Sequence, residues 1–217
     1  YVGVEYTDDC FPEEQFISAI DENTSVVIIS NPSSPIGDTI ENDAMKSIID
    51  KCSYYGALLV IDEAYIEFSN AMSYAHYATK HDNVIVLRTF SKACGSAGAR
   101  IGYSVSTEQH CDLLNRVRSM NEISSMSIKW METLCDHKDS IDSYVSAVKQ
   151  HREMLQFQYN VHGRSVICSQ TNFIHVSGLI LPDEYVYKVC KMPWSDIEYT
   201  RISIPANPDT IGNLLSL

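Results

Sequence analysis

The chain has 217 residues, 45% of them hydrophobic and 20% charged, enough for one large globular domain or one domain with part of a second. Its formal net charge of −12, from 28 acids against 16 bases, excludes nucleic-acid or anionic-membrane binding through a broad basic surface. It leaves open a small anion gripped by a few placed cations.

Residue 1 is Tyr, and "YVGVEYTDD" opens in strand-like sequence, so the chain is expected to be a piece of a longer protein. "SVVIIS" (25–30) is an apolar, β-branched run followed by the turn-rich "NPSSPIGD", the pattern of a strand buried on both faces. "ENDAMKSIIDKCSYYG" (41–56) carries Ala44, Ile48, Ile49 and Cys52 at helical spacing with Gly56 as a stop. "ALLVIDEAY" (57–65) reads as a second buried strand ending in acids. "FSNAMSYAHYATKH" (68–81) is helical or irregular, "NVIVLRTF" (83–90) is a third buried strand, and "IGYSVS" (101–106) is a fourth. Strands alternating with helices predict an α/β fold, a mostly parallel sheet with helices on both faces. In such sheets ligands sit beyond the carboxyl ends of the strands.

From Thr107 to about Tyr159 the pattern is helical, with a break expected in "DHKDS" (136–140). "SVIC" and "NFIHVS" then read as strands, "PDEYVYKVCKM" (182–192) as a helix and "YTRISI" as a last strand. The expected division is therefore a cofactor-binding α/β domain over 1–136, incomplete at its start. A connecting helix and a smaller α+β domain fill 137–217.

The seven cysteines (Cys10, Cys52, Cys94, Cys111, Cys135, Cys168 and Cys190) are scattered without a C-x-x-C pair. That points to a reducing, cytoplasmic setting and against a disulfide scaffold or zinc site. His76 and His81 lie five apart, off a shared helical face, so no metal site is expected. No apolar run is long enough for a membrane span, and no signal-peptide pattern is visible.

Chemistry-bearing residues gather at the predicted strand ends. Lys92 follows the third strand and leads into Gly95 and Gly98. A solvated loop lysine is the ordinary reading, but a lysine held in a cleft can attack a carbonyl and hold it as a Schiff base. Asp62, at the end of the second strand, can cap the next segment or pair with a protonated ring nitrogen. Tyr65 lies three residues on and can donate to an oxygen of the same ring. Arg100, with the hydroxyls of Thr89 and Ser91, offers a phosphate grip, and Arg201 can fork onto a carboxylate or sit on a strand surface.

The motifs "NPSSPIG", "VIDEAYIEF", "LRTFSKACGSAGARIGY" and "RISI" resemble the pyridoxal-phosphate-dependent aminotransferases of fold type I, class I/II, nearest in likeness to histidinol-phosphate aminotransferase. Asp62 and Lys92 are 30 residues apart and Lys92 and Arg100 eight, as that family spaces them. The resemblance implies pyridoxal 5'-phosphate as cofactor, with Lys92 as the amine that condenses with its aldehyde and later moves a proton. It further implies that Asp62 pairs with the pyridine nitrogen and Tyr65 with the ring's phenolic oxygen. Thr89, Ser91 and Arg100 would hold the phosphate, and Arg201 the substrate carboxylate. Ser34 stands where the family has the asparagine that bonds the ring oxygen, and Pro205 where it usually has glycine.

The implied activity is transamination between an amino acid, glutamate by default, and an oxo-acid or phosphorylated oxo-acceptor, in a homodimer. A lyase of the same fold, such as a threonine-phosphate decarboxylase, and a catalytically inactive piece of such an enzyme are the alternatives.

Overall fold

A computed structural model describes every residue except Asn121, Asp183, Glu184, Val186 and Leu217. Four strands form the first sheet, in the order β1 (Val26–Ser30), β2 (Leu58–Asp62), β3 (Val84–Thr89) and β4 (Gly102–Val105). β1, β2 and β3 pair in parallel, and β4 runs antiparallel to β3. The β3–β4 connection turns back through residues 90–101 without an α-helix, so the expected four strands are present and the last one reverses.

The helix α2 (Asn42–Tyr55) forms as its spacing predicts. It buries Ala44, Met45, Ile48, Ile49 and Cys52 against Val27, Ile29, Leu59 and Ile61 of the sheet. Each of its larger apolar side chains contributes about 1.5–3 kcal/mol on burial. Gly56 ends it in the left-handed region at φ 70, where a residue without Cβ is unstrained, and Ala57 N–H reaches back to Cys52 O at 2.8 Å. The short α1 (Glu13–Ser18) and α3 (Ala75–Ala78) cover the same face, with Phe16, Ile17 and Ala78 joining the cluster.

The opposite face differs from the expectation of strands covered on both sides. Val26 is 52% and Ile28 70% exposed in this chain, so β1 reads as alternating rather than fully buried. The opening "YVGVEYTDD" is irregular rather than a strand.

Three helices follow: α4 (Glu108–Val117), α5 (Ser125–Asp136) and α6 (Lys138–Val161), the last two separated at His137, inside the expected break. The second sheet has the order β5 (Val166–Ile167), β6 (Phe173–Ser177), β8 (Glu198–Ser203) and β7 (Lys188–Lys191), all antiparallel. The stretch expected as a helix over 182–192 contains β7, and three of its residues, Asp183, Glu184 and Val186, lie outside those described. Tyr199 and Arg201 of β8 face Cys190 and Lys188 in register, and this pairing decides the strand. The final helix α7 (Pro208–Leu215) was not anticipated, although Asn207 caps it by accepting from Asp209 N–H and Thr210 N–H at 2.8 and 3.2 Å.

α6 fixes one sheet against the other. Its fully buried Arg152 donates to Phe68 O at 2.8 Å and to Thr171 O at 2.9 Å, and Lys149 donates to Ser69 O at 3.0 Å. Tyr65, Phe68 and Ala93 from the first sheet's loops enter the same apolar cluster as Phe173, Ile174 and Ile202 of the second.

Candidate active site

The carboxyl ends of β2 and β3 open on a cleft of about 440 Å³ lined by Asp62, Thr89, Ser91, Lys92 and Arg100 among others. Five of the residues singled out from sequence therefore share one cavity. They arrive there for local reasons. Asp62 is the last residue of β2, and its Oδ1 accepts from Ala64 N–H at 2.9 Å, which leaves Oδ2 with no hydrogen-bond partner among the described residues. Thr89 ends β3. Its hydroxyl accepts from Ser91 N–H at 3.1 Å and donates to Ile101 O at 3.4 Å, so it holds the turn as well as facing the cleft. Ser91 keeps its own hydroxyl free.

Residues 91–100 form a loop closed at its neck by the pairing of Thr89 with Gly102 and by Phe90 N–H to Ile101 O at 3.2 Å. A Cβ on Gly102 would meet Arg88 O at 2.7 Å, so the neck needs glycine there. Arg100 takes φ 56, ψ 41, the one described non-glycine residue with positive φ. Such a conformation costs on the order of 1 kcal/mol, and at the rim of a cleft it marks a side chain held for a purpose. Its Nη1 donates to Ala97 O at 3.0 Å, and the rest of the guanidinium is exposed.

Lys92 is half-buried, with Nζ 4.8 Å from the centre of the Tyr65 ring. Tyr65 packs edge-on against Phe173 at 5.6 Å, and Phe173 carries the Arg201 guanidinium 3.8 Å above its centre. A continuous line of cation, ring, ring and cation thus joins the first sheet's lysine to the second sheet's arginine. Arg201 has no hydrogen-bond or ion-pair partner among the described residues. Ser34 stands apart: it is exposed in the turn after β1 and does not line the cleft. Its neighbour Asn31 is buried, with Oδ1 accepting from Ile40 N–H at 3.0 Å.

Sequence reasoning did not find two further residues, Phe173 and His175, and gave Glu63 only as an acid beside Asp62 that caps the next segment or pairs with a cation. Glu63, fully buried, accepts from Arg88 Nε at 2.8 Å, Ser73 Oγ at 2.8 Å and Tyr74 N–H at 2.6 Å. Arg88 also pairs with Glu67 at 2.6 Å, and burial still pushes the Glu67 carboxyl above its usual range. This network locks β2 to β3 directly behind the cleft. Phe173 and His175 were read only as members of a strand. The alternation of "NFIHVS" was the available signal, since it puts both on one face.

Tyr6 Oη reaches Asp38 Oδ1 at 3.3 Å and its ring lies 6.2 Å from Trp194, so the first residues tie the "NPSSPIGD" turn to the second sheet. Gly37, at φ 102, packs against Ser169, and Gln170 N–H donates to Gly37 O at 2.6 Å. All seven cysteines are free. Among the described residues the only metal-like grouping is the exposed Asp8, Asp9 and Cys10, and no helix is long and apolar enough to cross a membrane.

The strand ends of this α/β sheet thus present a lysine, a carboxylate and an arginine to one cleft. The family model for aminotransferase class I and II matches residues 13–193, and the chain belongs to that family. It is 34% identical to histidinol-phosphate aminotransferase 1 of Psychrobacter arcticus over 154 residues, 71% of this chain and 40% of that protein.

Its fold matches the crystal structure of histidinol-phosphate aminotransferase from Sinorhizobium meliloti in complex with pyridoxal-5'-phosphate. The TM-score is 0.81 and the identity 26%, over 99% of this chain and 62% of the other. L-threonine-O-3-phosphate decarboxylase from Porphyromonas gingivalis shares the fold at TM-score 0.76 and 17% identity, over 95% of this chain and 68% of the other. The chain spans less than half the length of the curated relatives it matches.

Proposed function

We propose that the protein to which this chain belongs is a pyridoxal-phosphate-dependent aminotransferase that moves an amino group between an amino acid, with glutamate as donor, and an oxo-acid or phosphorylated oxo-acceptor. The single observation that carries this reading is the shared cleft of Asp62, Thr89, Ser91, Lys92 and Arg100. Its donor set suits the cofactor's three ends: an amine for the aldehyde, a carboxylate oxygen without a partner for the pyridinium, and a guanidinium with two hydroxyls for the phosphate. When bound, the cofactor supplies an electron sink for the pair left on the substrate carbon.

The chain's own residues supply the rest. Lys92 would hold the cofactor's aldehyde end through its amine and would move the proton at the substrate carbon. Asp62 Oδ2 keeps the ring nitrogen protonated. Tyr65, whose hydroxyl has no hydrogen-bond partner among the described residues and whose ring lies 4.8 Å from Lys92 Nζ, would serve the ring oxygen, while the exposed Ser34 does not line the cleft. Arg201, stacked on Phe173, holds the substrate carboxylate.

The division near residue 137, the homodimer and a cytoplasmic setting belong to the same proposal. The exposed Val117 of α4, Met120 of the connection, and Met126 and Trp130 of α5 support a covered face there, and the seven free cysteines support the reducing setting. The decarboxylase likeness rests on fold alone and does not favour the lyase reading.

The test is direct. Pyridoxal phosphate is added to the chain, the product is reduced with borohydride, and the labelled residue is located by mass spectrometry. A label on Lys92, lost in Lys92→Ala with the fold intact, is expected. A label spread over surface lysines, or none, would overturn the assignment and return the chain to a non-catalytic role.

A further inference from the structure

His175 has no exposed surface, and neither ring nitrogen has a hydrogen-bond partner among the described residues. Burying an imidazole this way costs stability that a leucine would not, so packing alone does not explain the residue. Its surroundings are specific. It lies directly across from Arg201 in the β6–β8 ladder, with both side chains on one face, and edge-on to Phe173 at 5.6 Å and 85°. Phe173 is the ring on which the Arg201 guanidinium rests.

β5 brings Ile167 to its other side, and β7 brings Lys188 one strand beyond Arg201. Its own strand flanks it with Phe173 and Ser177, and no carboxylate among the described residues acts on it. Burial and the Arg201 charge together push the imidazole down to about 4. The ring is therefore neutral because its neighbour is an uncompensated cation and because it is dry.

We propose that His175 takes up a proton when an anion occupies Arg201. This rests on the reading of Arg201 as the anion holder and adds to it a coupled acceptor. An anion on the guanidinium cancels the field that opposes charge on the imidazole and adds an attractive one. No contact between anion and imidazole is needed, since the effect passes through the low-dielectric layer shared by Phe173 and the two strands. By linkage the effect is reciprocal: acid that protonates His175 tightens the anion. The substrate class this favours is one that presents a carboxylate, which stays ionised as the medium becomes mildly acidic and affinity rises.

The experiment uses the 217-residue chain and propane-1-sulfonate, a monoanion throughout the range. Affinity is measured by calorimetry in two buffers of different ionisation enthalpy. An opposite charge roughly two side chains away gives about a fivefold gain in affinity between about pH 7 and about pH 5, with net proton uptake on binding. His175→Gln is expected to bind with no gain and no uptake. The His175 Cε1 signal, followed by NMR in the unaltered chain, should titrate at higher pH with sulfonate present, which keeps the test independent of the variant's folding. Equal affinity at both pH values, or a gain that survives in His175→Gln, overturns the proposal. Undiminished binding in Arg201→Met overturns the reading of Arg201 instead.

Discussion

Arg88 and Arg201 are both half-buried arginines on central strands, and the molecule treats them in opposite ways. Arg88 is saturated: Glu63, Glu67 and Ser73 take its Nε, Nη1 and Nη2 within 2.6–2.9 Å. Arg201 lies on an aromatic face with no anion among the described residues. A buried charge without a partner is costly, so the first arrangement is what a fold does with arginine for its own sake. The second leaves a cation without an acidic partner among the described residues. The contrast sets a structural arginine beside one that the proposed function makes a ligand holder.

Three substitutions or conditions test that contrast, and the largest effect belongs to the saturated side. Glu63→Leu removes the acceptor shared by Arg88, Ser73 and Tyr74 N–H, and a loss of about 3–5 kcal/mol in chemical denaturation is expected. A loss below about 1 kcal/mol would mean that the network is not what joins β2 to β3.

The next effect is on the Arg201 side and depends on acid. His175 titrates near 6.5 when unfolded and at about 4 when folded. Above the unfolded value the ring is neutral in both states and adds nothing to the pH dependence of stability. As pH falls below it, the unfolded chain binds a proton that the folded chain refuses, so stability falls until pH reaches the folded value. The expected loss is about 2–3 kcal/mol across that window, and it should be absent in His175→Leu. A wild-type denaturation midpoint with the same acid profile as the variant would contradict the burial of a neutral ring.

The smallest effect is Arg201→Met. The apolar stem still covers Phe173, so the thermal midpoint should correspond to less than about 1 kcal/mol of change, while anion binding is lost. A large destabilisation would show Arg201 to be structural after all, and the comparison would collapse.

Much of this was legible in the sequence. The runs around Ile28, Val60 and Val86 declared their strands through continuous apolar, β-branched residues, and Gly56 declared the end of α2. The cleft followed because Asp62, Thr89 and Lys92 fall at strand ends, where a parallel sheet presents its ligand groups. What was not legible depends on partners distant in sequence. β7 carries Lys188 and Lys191 outward, and only its ladder to β8 makes it a strand. The difference between Arg88 and Arg201 is set by Glu63, Glu67 and Phe173, none of which a local pattern assigns. His175 looked like one more strand residue until its register with Arg201 was known.

The loop that carries Lys92 and Arg100 also has a mechanical consequence. Both of its ends are strands of the same sheet, clasped at Thr89 and Gly102, so it behaves as a handle riveted to a single plate. The amine of Lys92 and the guanidinium of Arg100 are therefore held on one rigid frame. Arg201 is tied to that frame through Tyr65 and Phe173.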